Sequence, residues 1–263
     1  MTGPSAVDRS ALWLPLLRRL TAESPTWVTW KSADAALHGY GDVDSTAAAA
    51  ERPAIESMFA GWAAAQGLGP VIVCRHAPDL DVLVALSGDE PFIELDVMPR
   101  KVFLGSTMFT HQDVLALSEM DPRGFRRVHP GAEGLLKLLL NGTHRNGLPD
   151  HRALRARRIA RLLATDARGV RLMAARFGPA EGAALDLATA VVGGGWDRRA
   201  ALRVEGWFLA RALLEPRLVG NKLRFRVAKR RCPVLRAMAA GRRVPEPAQA
   251  WLRRARVGHR VYG

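Results

Sequence analysis

The chain has only two cysteines, Cys74 and Cys232, among its 263 residues. Two thiols cannot make a disulfide framework or a four-ligand structural zinc site, so neither is expected, and a reducing cytoplasm is the expected compartment. Long apolar runs are also missing. Runs such as Val71–Cys74, Val82–Leu86 and Leu138–Leu140 fall far short of the roughly 20 residues a membrane span needs. Near the N-terminus Asp8, Arg9 and Pro15 surround a short apolar patch, so no signal peptide is expected. The seven histidines form no His-x-x-x-His or His/Cys cluster, which argues against zinc, and no Gly-x-Ser-x-Gly nucleophile elbow occurs. Gly193-Gly194-Gly195 lacks a preceding strand and a following Lys-Ser/Thr, so it reads as a loop rather than a phosphate cradle.

A hydrophobic content of 48% with 24% charged residues is that of a folded globular chain, long enough to bury a full core. The net charge of +14 is unevenly spread. Residues 1–120 hold 8 Lys+Arg against 15 Asp+Glu, a net of −7; residues 121–263 hold 31 against 10, a net of +21. Such asymmetry fits an acidic, metal-binding front half and a basic back half that faces a polyanion. It fits equally well a back half whose arginines are solvated helix faces.

Hydrophobic spacing divides the chain in texture. Leu12, Leu16, Leu17 and Leu20 predict a helix over Arg9–Thr21, and a second is predicted over Arg52–Gln66, stopped by Gly67-Leu68-Gly69-Pro70. Strands are predicted at Thr26–Lys31, at Gly41–Ala47 (GDVDSTA), and at Val71–His76, Asp81–Leu86 and Phe92–Val97. From about Thr110 the pattern turns helical, with helices predicted over Gln112–Glu119, Ala132–Asn141, His151–Thr165, Ala167–Phe177, Ala180–Val192, Arg198–Leu214 and Pro247–Val257. The expected fold is α+β: a mixed-sheet domain with flanking helices over residues 1–115, then a basic, mostly helical domain over 116–263.

Two features of the front half carry chemistry. In Gly41-Asp42-Val43-Asp44, strand geometry aims Asp42 and Asp44 at one face, roughly 6–7 Å apart along the backbone. In Phe92–Met98, Ile93, Leu95 and Val97 alternate with Phe92, Glu94, Asp96 and Met98, so Glu94 and Asp96 share the face opposite an aliphatic one. Crowded carboxylates repel each other unless a cation lies between them, and Mg²⁺ takes oxygen ligands that bridge carboxylates to phosphates.

Lys31-Ser32, nine further residues, Gly-Asp-Val-Asp and a later strand bearing Asp96 together resemble the nucleotidyltransferase superfamily of DNA polymerase beta type. The resemblance covers about residues 26–100. It implies that Asp42 and Asp44 bind two Mg²⁺ (or Mn²⁺) ions, that Asp96 joins them at the ion that activates the acceptor, and that Ser32 with nearby backbone N–H groups holds the β- and γ-phosphates of an NTP such as ATP. Glu94 is the rival for the place of Asp96. The family pattern has glycine where this chain has Lys31, which either adds a phosphate contact or crowds the pocket. Lys137 is the best placed residue for a further triphosphate contact; at i,i+4 from Glu133 it also suits a helix ion pair.

The back half offers two basic segments, His151–Leu163 and Asn221–Arg236, suited to phosphate-backbone contact without sequence readout. With few aromatics beside them, base stacking is not indicated. Two function classes follow: a nucleotidyltransferase acting on RNA (such as a tRNA end), a protein or a small metabolite, and a non-catalytic relative that binds nucleotide or nucleic acid. A helical interaction module with an incidental acid cluster is a third.

Overall fold

A computed structural model describes residues 8–77, 79–87, 90–154, 158–220 and 259–262. Along the chain these form α1 (Ser10–Glu23), β1 (Val28–Lys31), α2 (Ala33–Leu37), β2 (Val43–Thr46), α3 (Arg52–Ala65), β3 (Val71–Ala77), β4 (Leu80–Ser87) and β5 (Glu90–Met98). There follow β6 (Arg100–Phe103), β7 (Ser106–Thr110), α4 (His111–Ala116), β8 (Ser118–Met120), β9 (Arg126–Val128), α5 (Pro130–Asn141), α6 (His151–Leu154) and α7 (Arg158–Thr165). The last are α8 (Ala167–Ala174), α9 (Glu181–Val192), α10 (Arg198–Ala212) and β10 (His259–Tyr262). The class is mixed α+β, as the hydrophobic patterns predict. The basic segment Asn221–Arg236 and the helix expected over Pro247–Val257 lie outside the described residues. Among those described, no helix is long and apolar enough to cross a membrane.

Two compact units result. One is built from residues 1–99, 120–126 and 220–263, the other from 100–119 and 127–219. The expected division at 115/116 takes the chain as two consecutive pieces, whereas these units are interleaved along it.

The first unit is organised by one mixed sheet, in which the strands that lie wholly in this unit are ordered β10-β3-β4-β5-β2-β1. β3, β4 and β5 form an antiparallel meander, β5 runs parallel to β2, and β2 pairs antiparallel with β1. Helices α1 and α3 cover one sheet face. Trp13, Leu16, Leu17 and Leu20 on α1 and Ile55, Met58, Phe59 and Trp62 on α3 repeat at helical spacing and are all buried. They pack with Val43, Leu83, Ala85, Ile93, Leu95 and Val97 in a single core cluster, in which the Trp13 and Trp62 rings stack at 6.1 Å. Each such side chain contributes about 1.5–3 kcal/mol on leaving water. Burial of Ile93, Leu95 and Val97 sends the alternate residues of β5, Glu94 and Asp96, to the opposite face.

The second unit is mainly helical. Helix α5 is its centre, with Ala132, Leu135, Leu136, Leu138 and Leu139 buried. A side chain on Gly131 would bring its Cβ within 1.9 Å of the Asp166 carbonyl oxygen, and one on Gly134 within 2.9 Å of Leu162 Cβ. Those two glycines are what let α5 lie close to its neighbours. The β6–β7 hairpin, absent from the sequence expectation, turns through Leu104 (φ 50°) and Gly105 (φ 99°). Positive φ at both central positions marks a two-residue hairpin turn, but leucine replaces the asparagine or aspartate that advertises one. The helix expected to run to Phe177 ends at Ala174 in a 3₁₀ segment, Ala175–Ala180, because Gly178 adopts φ 56° before Pro179.

Candidate metal and phosphate site

Strand register builds the site. In the parallel pairing of β2 with β5, Asp44 lies opposite Asp96; in the antiparallel pairing with β1, Asp44 lies opposite Lys31. Residues opposite each other on neighbouring strands share a face, so Asp96, Asp44 and Lys31 form one cross-strand row. Asp42 stands one residue before β2, fed by the turn Gly39-Tyr40-Gly41, whose two glycines have φ 83° and 72°. One carboxylate oxygen from each of Asp42, Asp44 and Asp96 can be chosen so that all three lie within 4.8 Å of one another. Glu94, two residues before Asp96 on the same face of β5, is not part of this trio. The Ser45 hydroxyl donates to the backbone carbonyl of Asp96 (2.7 Å) and latches β2 to β5 at the level of the acids.

Simple alternation along β1 would not bring Lys31 to Asp44. Thr29 pairs with Ser45 and Lys31 with Asp44, so two steps of β1 oppose one of β2: a β-bulge at Trp30. A bulge re-aims the side chain that follows it. Lys31 Nζ thereby comes within 2.9 Å of Asp44 Oδ2 and 5.2 Å from the centre of the Trp30 ring. Asp44 is almost entirely buried and Lys31 mostly so, with side chains 3% and 17% exposed. Burial by itself pulls the Lys31 ammonium down. The Asp44 charge, its hydrogen bond, and the charges of Asp42 and Asp96 outweigh that pull and hold Lys31 above its ordinary value, protonated at neutral pH.

Ser32 follows immediately and adopts φ 71°, ψ 0°, a left-handed conformation, with its carbonyl accepting from the Ala36 N–H at the start of α2. That geometry costs an L-residue roughly 1–2 kcal/mol. Ser32→Gly is therefore expected to raise stability by about 1 kcal/mol, read by urea denaturation. If the hydroxyl holds phosphate, the same substitution weakens NTP binding while the protein becomes more stable, a combination that a purely structural serine does not produce.

The other acid and base candidates in this unit are committed elsewhere. Asp81 of β4 takes a two-point interaction from Arg52 at the start of α3, with Arg52 Nε 2.8 Å from Oδ2. Arg123 is held by Asp121 and Asp34, which keep its guanidinium above its ordinary value, and Arg126 donates to the carbonyls of Pro25 and Trp27. In the second unit Lys137 is ion-paired with Glu133 (2.8 Å), which also binds Arg127 (2.9 Å), all three buried. Arg152, Arg161, Arg168 and Arg171 on that unit's helices are exposed.

Three carboxylate oxygens with no nitrogen or sulfur donor form a hard set, suited to Mg²⁺ or Mn²⁺ rather than to zinc or copper. The residues present thus fit a divalent ion of that kind. No family model matches this chain, and no curated protein and no solved structure matches it either.

Proposed function

We propose that the chain is a divalent-metal-dependent nucleotidyltransferase that moves a nucleoside monophosphate from an NTP to an acceptor. The acceptor hydroxyl gives up its proton to solvent as its oxygen attacks the α-phosphorus, the bond to the bridging oxygen of the β-phosphate breaks, and pyrophosphate leaves. Asp42, Asp44 and Asp96 hold the metal; when bound, it supplies positive charge to the attacking and leaving oxygens. Ser32 and the backbone N–H groups beside it hold the β- and γ-phosphates, with Lys31 at hand. RNA, a protein or a small metabolite remains the acceptor class, the exposed arginines favouring an anionic one.

The observation that supports this reading best is the register placing Asp96 opposite Asp44, which assembles with Asp42 the three acids that the motif resemblance picks out. A second reading, nucleotide binding without transfer, draws on the Lys31–Asp44 ion pair, in which a lysine engages an acid that a catalytic metal needs. The test incubates the protein with each α-labelled NTP, Mg²⁺ or Mn²⁺ and total cellular RNA, protein and metabolite fractions. Label transfer that disappears in Asp42→Ala/Asp44→Ala supports catalysis. NTP binding with no transfer to any fraction supports the second reading, and neither binding nor transfer defeats both.

A further inference from the structure

We infer that Lys31 is a built-in counter-ion that keeps the carboxylate trio closed to divalent cations until its ammonium group leaves Asp44. The inference rests on the metal-binding reading above and adds to it a residue that controls loading. Asp44 Oδ2 already has a full positive charge 2.9 Å away. A divalent ion bound to the same carboxylate would lie beside that ammonium, and like charges at such a distance in a mostly buried place repel strongly. Ion and ammonium therefore exclude each other at Asp44.

The arrangement is built rather than incidental. A lysine at the regular strand position would not face Asp44, and the bulge at Trp30 is what delivers it. The row Asp96–Asp44–Lys31 leaves the ammonium at its β1 end beside the buried Asp44, with Lys31, Asp42 and Asp96 each half-buried. The lysine stem is flexible and 17% exposed, so Nζ can swing off Asp44 without unfolding the strand. Once displaced it needs a new anion, and a triphosphate at Ser32 would supply one. Metal and NTP then enter together more readily than metal alone, because NTP gives Lys31 somewhere to go.

Mn²⁺ binding to the full-length protein, followed by electron paramagnetic resonance, tests this. Lys31→Met is expected to bind Mn²⁺ at least about tenfold more tightly than wild type, and adding Asp96→Asn to Lys31→Met is expected to remove that binding. Equal affinity in wild type and Lys31→Met, both lost with Asp96→Asn, overturns the counter-ion role and leaves the metal site standing. No Mn²⁺ binding in either protein overturns both. Should Lys31→Met not fold, the wild-type protein still decides: it has only five lysines, so the Lys31 side-chain nitrogen can be followed by NMR. Its resonance is expected to move as Mg²⁺ is added and to move further with NTP; a resonance unchanged at saturating metal overturns the inference.

Discussion

Asp44→Asn is expected to lower nucleotidyl transfer on the order of 10³-fold while leaving the fold in place, as measured by labelled-NTP transfer beside far-UV circular dichroism. Asparagine keeps the size of the side chain and one oxygen, so β2 keeps its pairing with β5 and β1. What it removes is the negative charge at the centre of the Asp96–Asp44–Lys31 row. A metal ligand that loses its charge costs transition-state stabilisation of several kcal/mol, the range seen when a preorganised charge is deleted from an active site. The same substitution frees Lys31 from its partner at 2.9 Å, so a modest loss of stability accompanies it. The comparison that matters is with Glu94→Gln. Glu94 lies on the same strand face as Asp96 but outside the trio, and its loss is expected to change transfer by less than about tenfold. Equal effects at the two positions would show that the cluster is not the catalytic centre.

Glu133→Ala is expected to cost the second unit about 3–5 kcal/mol, read from urea unfolding. Glu133 is 3% exposed and bridges Arg127 at 2.9 Å and Lys137 at 2.8 Å. Truncating it leaves two cations buried side by side with their shared anion gone, and breaking a buried network in this way is far more destabilising than replacing it whole. The triple replacement Arg127→Met/Glu133→Leu/Lys137→Met is accordingly expected to recover most of the loss. A third variant, Lys137→Met, addresses the phosphate role that the resemblance gives Lys137. If Lys137 meets the triphosphate, Lys137→Met weakens NTP binding beyond what its effect on stability accounts for; if it serves only Glu133, NTP affinity stays at the wild-type value in the folded protein.

The acids were legible in the sequence to different degrees. Asp42 and Asp44 could be read directly, since their spacing of two and the preceding glycine are local facts. The side of the sheet on which Asp96 falls was also legible, because Ile93, Leu95 and Val97 had to be buried and alternation did the rest. The choice between Glu94 and Asp96 was not, for both satisfy the same alternation. Lys31 stands where the resemblance expects glycine, yet its engagement with Asp44 leaves no trace in the sequence pattern. A bulge is an irregularity of pairing and shows only when the partner strand is in view.

The same division runs through the whole fold. What the sequence determined by itself was periodic: the apolar stripes of α1 and α3, the alternation of β5, and the helical texture beyond Thr110, all consequences of fixed backbone repeats acting on neighbouring residues. Very short strands such as β8 and β9 carry too few residues to display a period, and the β6–β7 turn uses a leucine that hides it. Only the tertiary structure decided that β5 lies beside β2 and parallel to it, with Asp96 level with Asp44, and that β1 bulges to bring Lys31 to them. Pairing and register between strands distant in the chain depend on hydrogen bonds and core packing shared by many residues at once, and no local stretch encodes them.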